Sequence, residues 1–198
     1  MSAADPIDAQ LAREARAGSL ASFDRLVGRH HEKVFAFLLT LTRHRQDAED
    51  LTQETFLRAW RKIKSYDPER PLTPWLLTIA RRLSIGMLRK KKPVPMEASE
   101  LPEIAVMPER SPSMTLWHHA EKHLTREAYS ALWLHYREEL PLAEVGKVLG
   151  KSEGAAKVLV HRARKTLGEC LRKRSSSPPP LPITPPPLPS IWNAKTTP

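Results

Sequence analysis

Apolar residues recur every three to four positions along much of the chain, which is the spacing of amphipathic helices. The clearest case is 47–60, written DAEDLTQETFLRAW. We predict Asp47 as the N-cap of this helix, because a short acidic side chain can accept hydrogen bonds from the first free N–H groups. The predicted core stripe comprises Ala48, Leu51, Thr55, Ala59 and Ile63.

The opposite face of this helix is less ordinary. Leu57 points outward there, with Trp60 at the edge, and the polar residues around it are Asp50, Gln53, Glu54 and Arg61. One apolar residue framed by polar groups suits a docking surface. An acidic, solvated helix with a single exposed leucine fits the same pattern, because exposed leucines are common. Periodicity leaves both interpretations open.

Further helices are predicted on either side of this segment, over 7–17, 22–42 and 73–92. Thr73 followed by Pro74 predicts an N-cap and a first-turn proline for the last of them. His30 and His31 are expected to be solvated or cap-type groups. No strand pattern appears, so the predicted fold is all-α, with a first helical domain over 5–93.

A helix-turn-helix is predicted in the second half of the chain. Residues 142–149 form a short helix, Gly150 the turn, and Ser152 the N-cap of a long helix to about Leu171. Gly146 lies where two steeply crossing helices need a small residue. The long helix has a predicted core stripe of Ala156, Leu159, Ala163, Leu167 and Leu171 and a basic opposite side of Lys157, His161, Arg162, Arg164 and Lys165. A helical hairpin with a solvated basic face is the alternative; the agreement of turn, cap and charge favours DNA binding.

The first domain has a basic segment of its own. Arg81, Arg82 and the run 89–92 carry positive charge with no acid between them, and Tyr66 and Trp75 flank the proline-broken loop before that helix. Basic side chains follow phosphates, and aromatic rings hold unstacked bases. Trp75 fits a core position equally well.

Composition narrows the class of partner. The chain has 198 residues, a net charge of +10 and one cysteine, Cys170. Such charge points to a polyanion, either nucleic acid or an anionic membrane surface. A lone cysteine gives neither an internal disulfide nor a Cys-based metal site. The histidines at 118, 119 and 123 have no cysteine or pair of acids beside them to complete a metal site. No metal or cofactor is therefore predicted. No apolar run suits a membrane span or signal peptide, so we expect a cytoplasmic protein without membrane insertion.

Two segments differ from the helical domains. Residues 94–114 are rich in proline and lack periodicity, which indicates a linker before a second domain over 115–174. Residues 175–198 are of low complexity and are expected to be a disordered tail with polyproline II character. Trp192 in this tail invites a docking hypothesis, and a passive extension is the other interpretation.

Three segments carry a family resemblance when taken in order: DAEDLTQETFLRAW, SYDPERPLTPWLLTIARRLSIGMLRKKK and LPLAEVGKVLGKSEGAAKVLVHRARKTL. Together they resemble an extracytoplasmic-function (ECF) sigma factor of bacterial RNA polymerase, over about 7–174. The resemblance implies that the first domain is sigma region 2 and the second is sigma region 4. It departs from the family pattern at Lys151 and Ala156, where apolar and bulkier apolar residues are usual.

The resemblance also implies roles for particular residues. The 47–60 helix would bind the clamp helices of the largest subunit of core RNA polymerase through Asp50, Gln53, Glu54, Leu57 and Trp60. The minus-10 promoter element would be captured and melted by Tyr66, Trp75, Arg81, Arg82, Ser84 and Arg89. The minus-35 element would face Ser152, Lys157, Val158, His161, Arg162 and Arg164, with Arg164 nearer the backbone.

The sequence therefore predicts a non-catalytic initiation factor that directs core polymerase to a subset of promoters and opens the DNA. An anti-sigma factor is expected from the family. The alternative is a stand-alone helix-turn-helix regulator, which leaves the outward face around Leu57 unexplained. An adaptor acting through the proline-rich tail is a third class. No nucleophile–base set or phosphate-binding glycine loop is present to indicate an enzyme.

Overall fold

A computed structural model of the protein describes residues 4–90 and 112–175. These ranges contain eight α-helices and no strand. The helices are α1 Pro6–Arg16, α2 Leu20–Thr42, α3 Arg45–Lys62, α4 Leu72–Lys90, α5 Pro112–His123, α6 Arg126–Leu132, α7 Leu142–Leu149 and α8 Glu153–Ser175. Most of the predicted linker and nearly all of the predicted tail, including Trp192, lie outside the described residues; α5 begins within the last residues of that linker.

Helices α1 to α4 pack into a first module around α2. The predicted stripe of α3 is buried as expected, and Thr52 and Phe56 of the same helix are buried with it. Both Thr52 and Thr55 satisfy their hydroxyls within the helix by donating to carbonyls four residues earlier, at 2.7 and 2.6 Å. A buried hydroxyl bonded in this way leaves no unpaired polar group in the core.

Two predicted helix caps are wrong. His44, not Asp47, caps α3, because its Nδ1 accepts a hydrogen bond from the Asp47 backbone N–H at 3.2 Å. Asp47 lies instead in the first turn, where the helix dipole favours an acid. Thr73 lies inside α4, which begins at Leu72, and its hydroxyl is 3.4 Å from Nδ1 of His30.

The prediction for His30 is also wrong, because its side chain is buried in a polar cluster between α1, α2 and α4. Nε2 of His30 lies 2.7 Å from Asp8 Oδ2, and Nε of Arg29 donates to the other Asp8 oxygen at 2.7 Å. Burial lowers the pKa of His30, although the Asp8 carboxylate opposes the shift. Arg29 partly neutralises that carboxylate, so the neutral imidazole is favoured in the fold.

Helices α5 to α8 form the second module, with a π-helical turn over Trp133–Arg137 between α6 and α7. The predicted helix-turn-helix is present with the predicted bounds of α7. Gly150 ends α7 with φ of 61°, in the left-handed region. A Cβ at Gly146 would lie 2.8 Å from the Lys151 carbonyl oxygen, so the close helix approach requires glycine there. Ser152 caps α8 by accepting from the Ala155 N–H at 3.2 Å.

The predicted core stripe of α8 is only partly buried. Ala156 and Ala163 are buried as predicted, whereas Leu159, Leu167 and Leu171 are half-buried, and Val160, which was not predicted, is buried. The buried face of α8 is therefore rotated toward Val160.

The two modules pack against each other, α2 on α6 and α4 on α7. The rings of Phe37 and Trp133 meet across this contact, with centroids 5.6 Å apart. Nη2 of Arg43 donates to the Glu121 carbonyl at 2.9 Å. The buried apolar side chains of the described residues consequently form one continuous core through both modules.

Candidate polymerase and promoter surfaces

The outer side of α3 presents the predicted docking residues in one place. We call Asp50, Gln53, Glu54, Leu57 and Trp60 the α3 face. Leu57 is 53% exposed, and Asp50 and Gln53 are exposed nearby. The opposite side of α3 is packed into the core, so the exposed side chain of Leu57 remains available to a partner.

Two members of the α3 face also have contacts within the protein. Glu54 accepts a hydrogen bond from Nε of Arg58 at 2.7 Å. The Trp60 ring is half-buried and packs on Phe23, with centroids 5.0 Å apart. Trp60 therefore anchors the edge of the face to α2 while part of its ring stays at the surface.

The loop between α3 and α4 is closed by aromatic packing. Tyr66 is buried, and the centroids of the Tyr66 and Trp75 rings are 4.7 Å apart. The Tyr66 hydroxyl donates a hydrogen bond to the Arg70 carbonyl. Burial raises the pKa of Tyr66, so the hydroxyl stays protonated and keeps this bond. Trp75 is half-buried, which leaves part of its ring accessible next to the loop.

The basic segment of α4 is split between surface and interior. Arg82 and Arg89 are exposed, whereas Ser84 is 1% exposed and donates to the Arg81 carbonyl at 2.9 Å. Arg81 is half-buried against the second module, and this burial lowers its pKa while Glu127 opposes the shift. The six residues predicted for the minus-10 element are thus not all on one accessible surface.

The outer face of α8 is continuous, in contrast to that of α4. Each residue predicted for the minus-35 element is exposed: Ser152, Lys157, Val158, His161, Arg162 and Arg164. An open groove of about 300 Å³ lies at the start of this face, lined by Lys151, Gly154, Ala155, Val158, Leu159 and Arg162. A helix that follows a glycine turn and carries cations on its free side has the geometry of a recognition helix in the major groove.

Neither a metal site nor a membrane span is found within 4–90 and 112–175. No group of three His, Cys, Asp or Glu side chains there is close enough together to hold a metal ion. No helix of this part of the chain is long and apolar enough to cross a bilayer.

The described residues thus form an all-α, two-module protein with one apolar residue framed by polar groups on α3 and an exposed basic helix after a glycine turn. Residues 26–94 match the Sigma-70 region 2 family, and residues 118–167 match the Sigma-70 region 4 family. The chain is 32% identical to the ECF RNA polymerase sigma factor SigM of Bacillus subtilis, over 74% of this chain and 93% of SigM.

The chain belongs to the ECF sigma factors of the sigma-70 family. It is also 32% identical to SigE of Mycolicibacterium smegmatis, over 80% of this chain but 65% of that protein, so it spans about two thirds of that relative's length. The solved structure of the sigma factor RpoE of Bartonella quintana, in complex with the anti-sigma factor NepR, has a TM-score of 0.64 at 23% identity and covers 77% of this chain and 98% of that chain. The all-α, two-module prediction is confirmed.

Some residues that shape these surfaces carry no local sequence signal. The contact of Phe37 with Trp133, and that of Arg81 with the second module, join residues far apart in the chain. The burial of Ser84 could have been anticipated, because it follows Leu76, Ala80 and Leu83 on the inner side of α4.

Proposed function

We propose that the protein is an alternative sigma factor, which binds core RNA polymerase and directs it to a subset of promoters. One observation carries this proposal: the α3 face and the basic face of α8 are exposed at separate places on a common core. One protein can then hold a polymerase and duplex DNA at the same time. Family membership supports the same function.

The α3 face is proposed to bind the clamp helices of the largest polymerase subunit, with Leu57 as the central apolar contact and Asp50, Gln53 and Glu54 as polar neighbours. Interfaces commonly place an apolar anchor within a polar rim. Trp60 would contribute the exposed edge of its ring.

Capture and melting of the minus-10 element is proposed for the loop before α4 and for α4 itself. Trp75, Arg82 and Arg89 have side-chain surface available for bases and phosphates. Tyr66 and Ser84 are buried, so we assign them the task of holding the loop and the helix in shape. Arg81 would reach DNA only once α4 and the turn at Gly150 separate.

The exposed face of α8 is proposed to lie in the major groove of the minus-35 element. Lys157, Arg162 and Arg164 supply charge for phosphates or base edges, and Ser152 supplies the cap at the end of the helix that enters the groove. The polymerase would carry out all nucleotide chemistry, so this chain itself needs no catalytic residue. Such a protein would act in the cytoplasm.

An anti-sigma factor is a further proposed partner. Support comes from the fold shared with RpoE, whose solved structure includes the anti-sigma factor NepR. Such a partner would compete with polymerase if it covered the α3 face.

Binding to core polymerase separates this proposal from the stand-alone regulator. The full chain should elute with purified core polymerase in size-exclusion chromatography and should give that polymerase specific binding to promoter fragments. A stand-alone regulator would bind duplex DNA alone and elute apart from polymerase. That second outcome would overturn the sigma-factor proposal.

A further inference from the structure

The start of α8 carries a small apolar strip among charged groups. Its members are Gly154, Ala155 and Val158, and all three are exposed. Val158 is 49% exposed and lines the groove together with Lys151 and Arg162. This strip cannot belong to the core, because the buried face of α8 is formed by Ala156, Val160 and Ala163.

The side chain of Val158 can make only apolar contacts. It has no hydrogen-bonding group, so it cannot read the donor and acceptor pattern of a base pair. The major groove offers one apolar group with sequence information, the C5-methyl of thymine. A β-branched side chain in the second turn of a recognition helix is placed to contact such a methyl.

The charge around the strip favours DNA over an apolar protein partner. Lys151 and Arg162 lie in the groove lining, and Lys157, Arg164 and Lys165 are exposed on the same helix. Lys151 is already paired with Glu127 at 3.1 Å, but an apolar partner would have to bring acids for the other cations, whereas a duplex supplies phosphates on both sides of the major groove.

We propose that Val158, supported by Ala155, reads a thymine C5-methyl in the DNA element bound by α8 and is thereby a specificity-determining residue. This inference rests on the proposed function and adds the base feature that is recognised. The cations at either end of the strip fix the position of the helix on the backbone, and Val158 discriminates thymine at one base pair.

Replacement of thymine by deoxyuridine tests the contact, because it removes the methyl group alone. Duplexes carrying a short randomised window would be selected with the full chain bound to core polymerase. The winning duplex would then be resynthesised with deoxyuridine at each thymine in turn. We expect one position in the α8 element to lose affinity about fourfold, the effect of leaving one methyl group unburied.

Val158→Ala should reduce the difference between thymine and deoxyuridine at that position alone, because the shorter side chain loses most of its contact with the methyl group. Leu20→Ala, at an exposed apolar residue of α2 that is 65% exposed, should keep the full difference. Comparing the two proteins on the two duplexes isolates the methyl contact from general effects of either change.

Three results would overturn the inference. Deoxyuridine could leave the affinity unchanged at every thymine of the α8 element. This result is obtained with the wild-type protein, so it does not depend on the folding of Val158→Ala. The variant could keep the full discrimination, which would assign the methyl contact to a residue other than Val158. If no duplex is selected, the proposed function is contradicted as well. If promoter duplexes are selected but binding does not depend on any thymine methyl, the inference alone fails.

Discussion

The guanidinium of Arg81 lies against Gly150, the turn glycine of the helix-turn-helix: Nη1 is 3.3 Å from the point that a Cβ at Gly150 would occupy. A residue proposed to meet the minus-10 element is therefore in contact with the module proposed to bind the minus-35 element. Arg81 is thus partly covered by the second module, whereas Arg82 next to it is already exposed.

Arg81 and Arg82 should consequently respond differently to truncation. Arg81→Ala removes packing of the long side chain against the second module and should lower the free energy of unfolding by about 1 kcal/mol. Arg82→Ala should change it by less than about 0.5 kcal/mol, as is usual at the surface. Urea denaturation followed by circular dichroism measures both. Equal effects would mean that the contact of Arg81 with the second module does not contribute to stability.

Leu57→Ala should weaken binding to core polymerase about tenfold, because it removes the apolar centre of the α3 face. The fold should be unaffected, since Leu57 is exposed and alanine favours helix. The matched control is Leu20→Ala, at a similarly exposed leucine on α2. Biolayer interferometry with immobilised core polymerase gives the affinities. Equal affinities of the two variants would remove Leu57 from the interface.

Arg162→Ala should weaken promoter binding by the polymerase complex. If Arg162 contacts a phosphate, the slope of log affinity against log salt should fall in magnitude by about one. Arg16→Ala, at an exposed residue on α1, is the control for the loss of one positive charge elsewhere. Affinities of fluorescent promoter fragments measured over a salt series provide the slope. An unchanged affinity would show that this side of α8 does not face DNA.

Gly146→Ala should destabilise the second module by about 2 kcal/mol, because the new Cβ meets backbone that cannot move aside cheaply. The clash is with the Lys151 carbonyl oxygen at 2.8 Å. Gly168→Ala adds a methyl in open space on the same module and should stabilise it by up to about 1 kcal/mol through helix propensity. Thermal unfolding of the two variants checks the signs, and a neutral Gly146→Ala would contradict the tight crossing of α7 and α8.

Acidification should destabilise the first module through His30. Burial lowers the pKa of His30 below its ordinary 6.5, so the unfolded chain binds the proton more readily than the folded one. Stability is then greatest above pH 6.5 and falls as the pH drops towards the lowered folded pKa.

The variant that tests this titration is His30→Gln, with His31→Gln at the exposed neighbouring histidine as its control. In urea denaturation at a series of pH values, His30→Gln should lose less stability on acidification than the wild type. His31→Gln should follow the wild-type curve. Parallel curves for all three proteins would mean that folding does not change the pKa of His30.

Local patterns predicted the helices and much of the site. The 3.6-residue period placed the core stripe of α3 and left Leu57 outside it, and the turn glycine with its serine cap located the helix-turn-helix. These features are encoded within a few residues of one another. Each was therefore accessible from the sequence.

Contacts between distant residues were not accessible in this way. His30 is buried because Asp8 and Thr73, far from it in sequence, supply hydrogen-bonding partners. Trp133 packs on Phe37 through the meeting of the two modules. The contact between the two modules also explains why Arg81 is half-buried. A helical wheel predicts only that Arg81 lies on the basic face of α4.

Run-off transcription with reconstituted polymerase tests the central claim most directly. Purified core polymerase would be incubated with genomic DNA, with and without the full chain, and the transcript 5′ ends would be sequenced. We predict a discrete set of new start sites that share upstream elements and disappear when the chain is omitted. An unchanged set of transcripts would contradict the assignment as a sigma factor.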